Sequence, residues 1–136
     1  MGAVKIRAAD KWFSLCIRQR SRWCCDRCGT YYPEGKRMGL HASHFHGRGS
    51  WSCRFSPDNC FSHCYGCHQY LGSNPQLFSQ WVEDRIGKGA MELLLEKKND
   101  LALGRVNKRA EKEISKHYRQ QYRLMAEDPN HKLIAW

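Results

Sequence analysis

The 136-residue chain has no long apolar run. No stretch approaches the roughly 20 apolar residues a membrane-spanning helix needs. The start, Met1 to Asp10, lacks the apolar core of a signal peptide. Acidic residues are scarce, with 13 Asp and Glu against 23 Lys and Arg, which leaves a formal net charge of +10. Low-complexity segments are absent, as is any repeat beyond one pair of cysteine motifs. These absences argue against a helical membrane protein and a secreted one, and a cytoplasmic protein of cationic character is expected. Hydrophobic residues make up 41% and charged ones 26%, a balance that folds rather than staying disordered. The length suits one domain with a helical tail.

An excess of positive charge spread over both ends of the chain suits a polyanion partner. Neutralised phosphates release counterions, so such binding should weaken steeply with salt. No recognition-helix signature for reading base sequence is present.

What the chain has in plenty is cysteine and histidine: eight of one and seven of the other. In a cytosolic setting the cysteines are expected to be reduced, with some on metal. Cys25-Asp-Arg-Cys28 and Cys64-Tyr-Gly-Cys67 are two Cys-x-x-Cys pairs about 35 residues apart, the spacing of a ribbon-like structural zinc site. Four thiolates fill a tetrahedral zinc, so this Zn2+ should hold structure and do no chemistry. Cys16 falls on the apolar face of a helix and reads as a buried side chain. Cys24 to Cys28 makes a poorer knuckle than Cys25 to Cys28. Cys53 and Cys60, with His46 or His63, offer the makings of a second zinc site, but we read them as buried thiols.

Between the two pairs lie His41-Ala-Ser-His44-Phe-His46 and Asn59, and His68 follows the last cysteine. Hydrolysing a phosphodiester near neutral pH needs a base for water and a metal for the phosphate charge. Histidine suits the first role, and histidine or asparagine can serve the second.

The element pattern is α+β. Asp10 should cap a helix from Lys11 to Arg20, with Trp12, Phe13, Cys16 and Ile17 on its apolar face. Thr30 to Tyr32 reads as a short strand before a turn at Pro33-Glu34-Gly35. Leu40 to Phe45 reads as a strand, Trp51 to Phe55 as its return, and Ser56 to Asn59 as a turn. The second cysteine pair should open a helix ending near Gly72. Asn74 and Pro75 start another that Gly87 stops. Helices from Gly89 to Lys98 and from Arg105 to Glu127 complete the chain. Val106, Ala110, Ile114 and Tyr118 recur every four residues in the last of these, either as a dimer seam or as a face packed on the protein's own body. The expected organisation is an N-terminal helix (1–22), a zinc-bound core (23–86) and a helical basic extension (87–136).

The order Cys-x-x-Cys, His44, Asn59, Cys-x-x-Cys-His68 resembles the zinc-containing HNH, or ββα-metal, nucleases. More narrowly, His41-Ala-Ser-His44-Phe, Arg54-Phe55, Asn59, the second cysteine pair and Leu71-x-Ser73-Asn74 resemble the NinG/Rap recombination proteins of lambdoid phages. The likeness runs from Cys25 to Ile86. It implies a small zinc-stapled ββα-metal core, to which the residue pattern adds flanking helices and a basic C-terminal helix. It further implies His44 as general base and Asn59 as the residue orienting the base or its backbone. His68 becomes a ligand of the catalytic metal, Mg2+ or Mn2+, with His41 as second ligand or as an aid to the water. Arg54 would meet the scissile phosphate.

Two departures bear on this. Ser43 stands where many HNH enzymes place Asp, and His68 where NinG-like proteins tend to carry Asn. Histidine there shifts preference toward manganese, zinc or nickel. Arg27, Lys36, Arg37 and Arg48 surround the expected site as DNA-binding cations, and Trp23, Tyr31, Tyr32 and Trp51 are available for stacking on unpaired bases. The resemblance points to branched DNA, four-way junctions above all, in the cytoplasm of a phage-infected host. Two symmetric cuts would call for a homodimer. The rival reading is a non-catalytic, zinc-dependent nucleic-acid-binding protein of the same shape. A transcriptional zinc-ribbon adaptor is a third.

Overall fold

The first helix, α1 (Ala8–Arg20), starts two residues before the expected Asp10 cap. Asp10 is the helix's third residue, and its carboxylate accepts from the Arg7 amide at 2.7 Å. Arg7 is the N-cap, so an acidic group still sits in the first turn, where the helix dipole favours it. The computed structural model describes residues 4–34 and 39–136. After α1, Arg22 and Trp23 both adopt left-handed backbone angles, φ 54 and 61. They reverse the chain into the first cysteine knuckle. Strain of this kind persists only where the surroundings hold it. Here the Trp23 amide donates to Arg18 O at 3.0 Å and its indole to Gln19 Oε1 at 2.8 Å.

Two short strands, β1 (His41–His44) and β2 (Cys60–His63), pair antiparallel, with His41 opposite His63, Ala42 opposite Ser62, Ser43 opposite Phe61 and His44 opposite Cys60. Opposite residues share a face. Ala42 and Cys60 therefore meet α1 in a core with Ala9, Phe13, Cys16, Ile17, Phe55, Ile114, Tyr118 and Met125. Phe61 lies on the other face with Leu71, Phe78 and Val82. A third cluster gathers Trp23, Cys25, Leu40, Cys64 and Cys67 at the knuckles. The outer edge of β2 is covered by the first knuckle, where Asp26 N donates to Ser62 O at 2.7 Å and Ser62 N to Asp26 Oδ2 at 2.8 Å.

Helices α2 (Tyr65–Gly72), α3 (Pro75–Ile86), α4 (Lys88–Lys98), α5 (Leu101–Arg109) and α6 (Glu111–Glu127) follow. The order around the sheet is thus strand, loop, strand, helix, as expected, but the return strand differs. Residues 51–55 form turns rather than a strand, and β2 lies after a 3-10 turn at Pro57–Asn59. Thr30 to Tyr32 contributes one isolated bridge, Cys24 to Tyr31. Asn74 does not cap α3 with its side chain, which donates to Tyr70 O instead.

The expected long C-terminal helix is broken at Ala110. Buried Asn107 turns its side chain inward to Trp51 O at 3.1 Å and Ser52 O at 3.4 Å, which ties α5 to the central loop and redirects the chain. The four-residue stripe is also resolved. Ile114 and Tyr118 are wholly buried against α1, Ala110 packs beside them, and only Val106 is exposed, at 52%. Three of the stripe's four residues thus pack on the protein's own body.

Candidate functional site

The four expected cysteines converge. The sulfurs of Cys25, Cys28, Cys64 and Cys67 all lie within 4.8 Å of one another, and Cys28 to Cys64 is 3.8 Å. Sulfurs about 2.3 Å from one tetrahedral zinc sit about 3.8 Å apart, so the set fits the ion. Each pair forms the turn a knuckle needs. Cys28 N points at Cys25 Sγ and Cys67 N at Cys64 Sγ, both at 3.5 Å, and Gly29 takes φ 78 just after the first pair. The Thr30 hydroxyl and amide draw the Cys28 thiol down to about 6. Burial pushes Cys67 up to about 12, against the pull of the Arg27 guanidinium 3.5 Å from its sulfur. Among the described residues this is the one cluster of three or more metal-ligating side chains.

Cys64 is also the N-cap of α2, so the same residue that closes the cluster starts the helix carrying His68. One turn into α2, His68 faces His41 on β1 with their Nδ1 atoms 3.3 Å apart. Both line a cleft of about 510 Å³ with His44, Arg48, Asp10, Lys11, Ser14 and Arg18. Three cations thus ring three histidines. Burial lowers the His68 pKa, and the neighbouring His41 adds to the effect.

His44 ends β1 with Nε2 on the Arg54 carbonyl at 2.9 Å. A carbonyl can only accept, so Nε2 carries the proton and the lone pair is at Nδ1. Nδ1 lies 3.7 Å from the buried Cys60 thiol. Burial pulls the His44 pKa down to about 4, the Arg54 carbonyl opposes that, and Arg48 adds to it. The ring is therefore neutral at pH 7.

Asn59 is 0% exposed and its amide is fully used. Oδ1 accepts from His46 N at 2.7 Å, and Nδ2 donates to His46 O at 2.9 Å and Cys53 O at 3.1 Å. It pins both ends of the loop that follows His44.

Arg54 requires a correction. Expected at the scissile phosphate, it is 1% exposed and paired with Asp10, Nε to Oδ1 at 3.0 Å and Nη2 to Oδ2 at 2.5 Å. Its guanidinium also lies 4.4 Å from the Trp51 ring centroid, which takes Trp51 out of the stacking role. The burial follows from the turns at 51–55, which aim Arg54 inward. Arg54 reaches the site only through its carbonyl on His44.

The other expected residues are scattered. Arg48 lines the cleft. Arg27 is exposed but sits over the Tyr70 ring at 4.4 Å, beside the cysteine cluster. Lys36 and Arg37 lie outside the described residues. Trp23 is core packing at the knuckles and Tyr31 is exposed. His63 is 0% exposed among Phe61, Phe78 and Trp81, and burial lowers its pKa to about 4. Cys53 and Cys60 are buried thiols. Ser43 is 1% exposed and its hydroxyl has no partner among the described residues.

Lys11 and Arg18 belong to the cleft and were not singled out from the sequence as site residues. Their signal was available: Lys11, Ser14 and Arg18 recur at helical spacing opposite the apolar face of α1. Tyr65, inside the second knuckle, is 58% exposed with its ring centroid 6.2 Å from that of His41. No helix among the described residues is long and apolar enough to cross a membrane.

The family described as the bacteriophage lambda NinG protein matches residues 5–128. No curated protein and no solved structure matches the chain.

Proposed function

Because the chain belongs to the NinG family, we propose that it is a metal-dependent DNA endonuclease of the HNH type that cuts branched recombination intermediates such as four-way junctions. The observation that carries this reading is the cleft. It brings a neutral histidine with a fixed tautomer, a facing histidine pair and three cations together beside a cysteine cluster built for structural zinc.

The pair fits a second ion. Two ring nitrogens about 2.0–2.1 Å from one ion lie about 3.3–3.4 Å apart in a tetrahedron and about 2.8–3.0 Å apart as neighbours in an octahedron; His41 and His68 meet at 3.3 Å, within a small closing movement of the second. A divalent ion held there would polarise the phosphate and offset charge on the leaving oxygen. Magnesium or manganese would take its other ligands from phosphate and water. Lys11, Arg18 and Arg48 would hold the phosphate against this wall by charge. His44 would accept the water's proton at Nδ1, with the imidazolium stabilised by the Arg54 carbonyl on Nε2. Asn59 acts at one remove, fixing the backbone that follows the base.

Two observations favour the rival reading of a zinc-stabilised DNA-binding protein without cutting. Ser43 supplies no carboxylate to the metal, and the His44 lone pair faces a thiol in the structure. Single-turnover cleavage of junction DNA separates the two. Cutting that requires added Mg2+ or Mn2+ and falls at least a hundredfold in His68→Ala, with DNA affinity kept, supports the enzyme. Binding without cutting under any divalent ion supports the rival.

A further inference from the structure

Lys112, Lys116, Arg119 and Arg123 are all exposed along α6. At 3.6 residues per turn they fall within roughly 60° of the helix circumference. They lie opposite the buried face of Ile114, Tyr118, Gln121 and Met125. The helix's carboxylates, Glu111, Glu113 and Glu127, sit at its two ends. Among the described residues the ion pairs are Arg54 with Asp10 and Arg85 with Asp26, so none of the four cations is paired. Like charges a turn apart are mutually destabilising, and a polyanion laid along the stripe would relieve that.

The stripe joins the cleft. Lys11, on the cleft wall, and Arg119, on the stripe, place their charges 5.5 and 5.7 Å from the ring centroid of the same Trp12. Trp12 in turn packs on Tyr122 of α6 at 6.1 Å. From Lys112 to Arg123 the helix rises about 16 Å. Along a duplex axis that length carries about five phosphates per strand, at about 3.4 Å of rise each. No large apolar side chain is exposed on α6, and a protein partner would want an apolar centre to dock on.

We propose that this face of α6 grips a duplex DNA arm as it leaves the cleft, holding its phosphates without reading its sequence. The partner's identity rests on the DNA reading above. A straight row of charge suits a duplex rod, and the grip acts only on arms long enough to cross α1 and reach it.

The test is a Lys112→Gln, Lys116→Gln, Arg119→Gln, Arg123→Gln variant of the full chain, with a triple variant that leaves Arg119 on Trp12 as a folding control. Binding would be measured over a salt series on four-way junctions with arms of about 20 base pairs and with hairpin-closed arms of about 4. The expected result on long arms is an affinity loss of at least tenfold and a log–log salt slope shallower by about 3–4, since each lost phosphate contact removes about one. On short arms both should stay as in the wild type. Equal behaviour of variant and wild type on long arms would overturn the proposal, as would equal losses on long and short arms. A wild-type protein that grips long arms but never cuts would leave the grip standing and remove the nuclease reading. One that binds an acidic protein or RNA in preference to duplex DNA would remove the grip.

Discussion

At the residue scale, burial sets the chemistry of the histidines. His44 has its pKa lowered to about 4, so it stays a free base well below the pH where an exposed histidine, near 6.5, would take a proton. The acid limb of the single-turnover cleavage rate should therefore lie near pH 4 and the rate should hold nearly level from about pH 5 to 7. A limb at 6.5 would remove His44 from the base role. His63 shares the low pKa, about 4, but for a structural reason: neither ring nitrogen has a partner among the described residues. The unfolded chain takes this proton first, so His63 weakens the fold as pH falls from about 6.5 toward 4. Its aromatic surroundings suit phenylalanine. His63→Phe should stabilise the zinc-loaded protein by about 1–2 kcal/mol at pH 7 and flatten the loss of stability toward pH 4, read by urea unfolding. A destabilised variant would mean that the ring nitrogens are satisfied after all. None of this was legible in the sequence, where His63 resembled any surface histidine beside a cysteine. Burial is decided by Phe78 and Trp81, which α3 brings across from 15 and more residues away.

At the element scale, short motifs were easier to read than strand positions. The cysteine spacing carried its own geometry, since two tight turns and four thiolates admit few arrangements. The 3-10 turn at Pro57–Asn59 and the helix opened by the second cysteine pair were legible for the same local reasons. Trp51-Ser-Cys-Arg-Phe55 alternates like a strand, yet Arg54 belongs inside against Asp10, and the segment folds as turns to put it there. The break at Ala110 was hidden because Val106, Ala110, Ile114 and Tyr118 keep a helical period across it. The cause, Asn107 bonding to the backbone of residues 51 and 52, is a tertiary one. Cys64 tests the clamp, being both a ligand candidate and the cap of α2. Structural zinc of this kind contributes about 10–16 kcal/mol in small zinc-finger peptides. Cys64→Ser should lose bound zinc and melt α2 with the knuckles, read by zinc stoichiometry and far-ultraviolet circular dichroism. A variant that keeps one zinc per chain and wild-type helicity would contradict the clamp.

At the scale of the whole molecule, the three segments expected from the sequence are not separate bodies. α1 packs along α6, and the core under them draws on Phe13, Phe55, Cys60, Ile114 and Tyr118, with the Tyr118 hydroxyl donating to Phe55 O at 2.6 Å. The buried Arg54–Asp10 pair ties α1 to the central loop, and Arg54 O holds the His44 ring. Breaking such a pair from one side leaves a buried charge. Asp10→Ala should cost about 3–5 kcal/mol in chemical unfolding, and Asp10→Ala with Arg54→Met should recover most of it. A loss under about 1 kcal/mol in the single variant would show that Arg54 finds water. The α+β class and the convergence of the four cysteines were readable in advance. The cationic face of α1 was readable from its spacing, but its place was not, because Lys11 and Arg18 join His44 and His68 only when α1 is laid along β1.

The most direct check is cleavage of labelled four-way junction, nicked and linear duplex DNA by the purified zinc-loaded protein. Magnesium, manganese and EDTA would be compared, with His44→Ala alongside. Metal-dependent cutting of the junction in preference to linear duplex, lost in His44→Ala while junction binding and folding persist, is the expected result. Cutting that survives His44→Ala, or tight junction binding with no cutting in any metal, would contradict it.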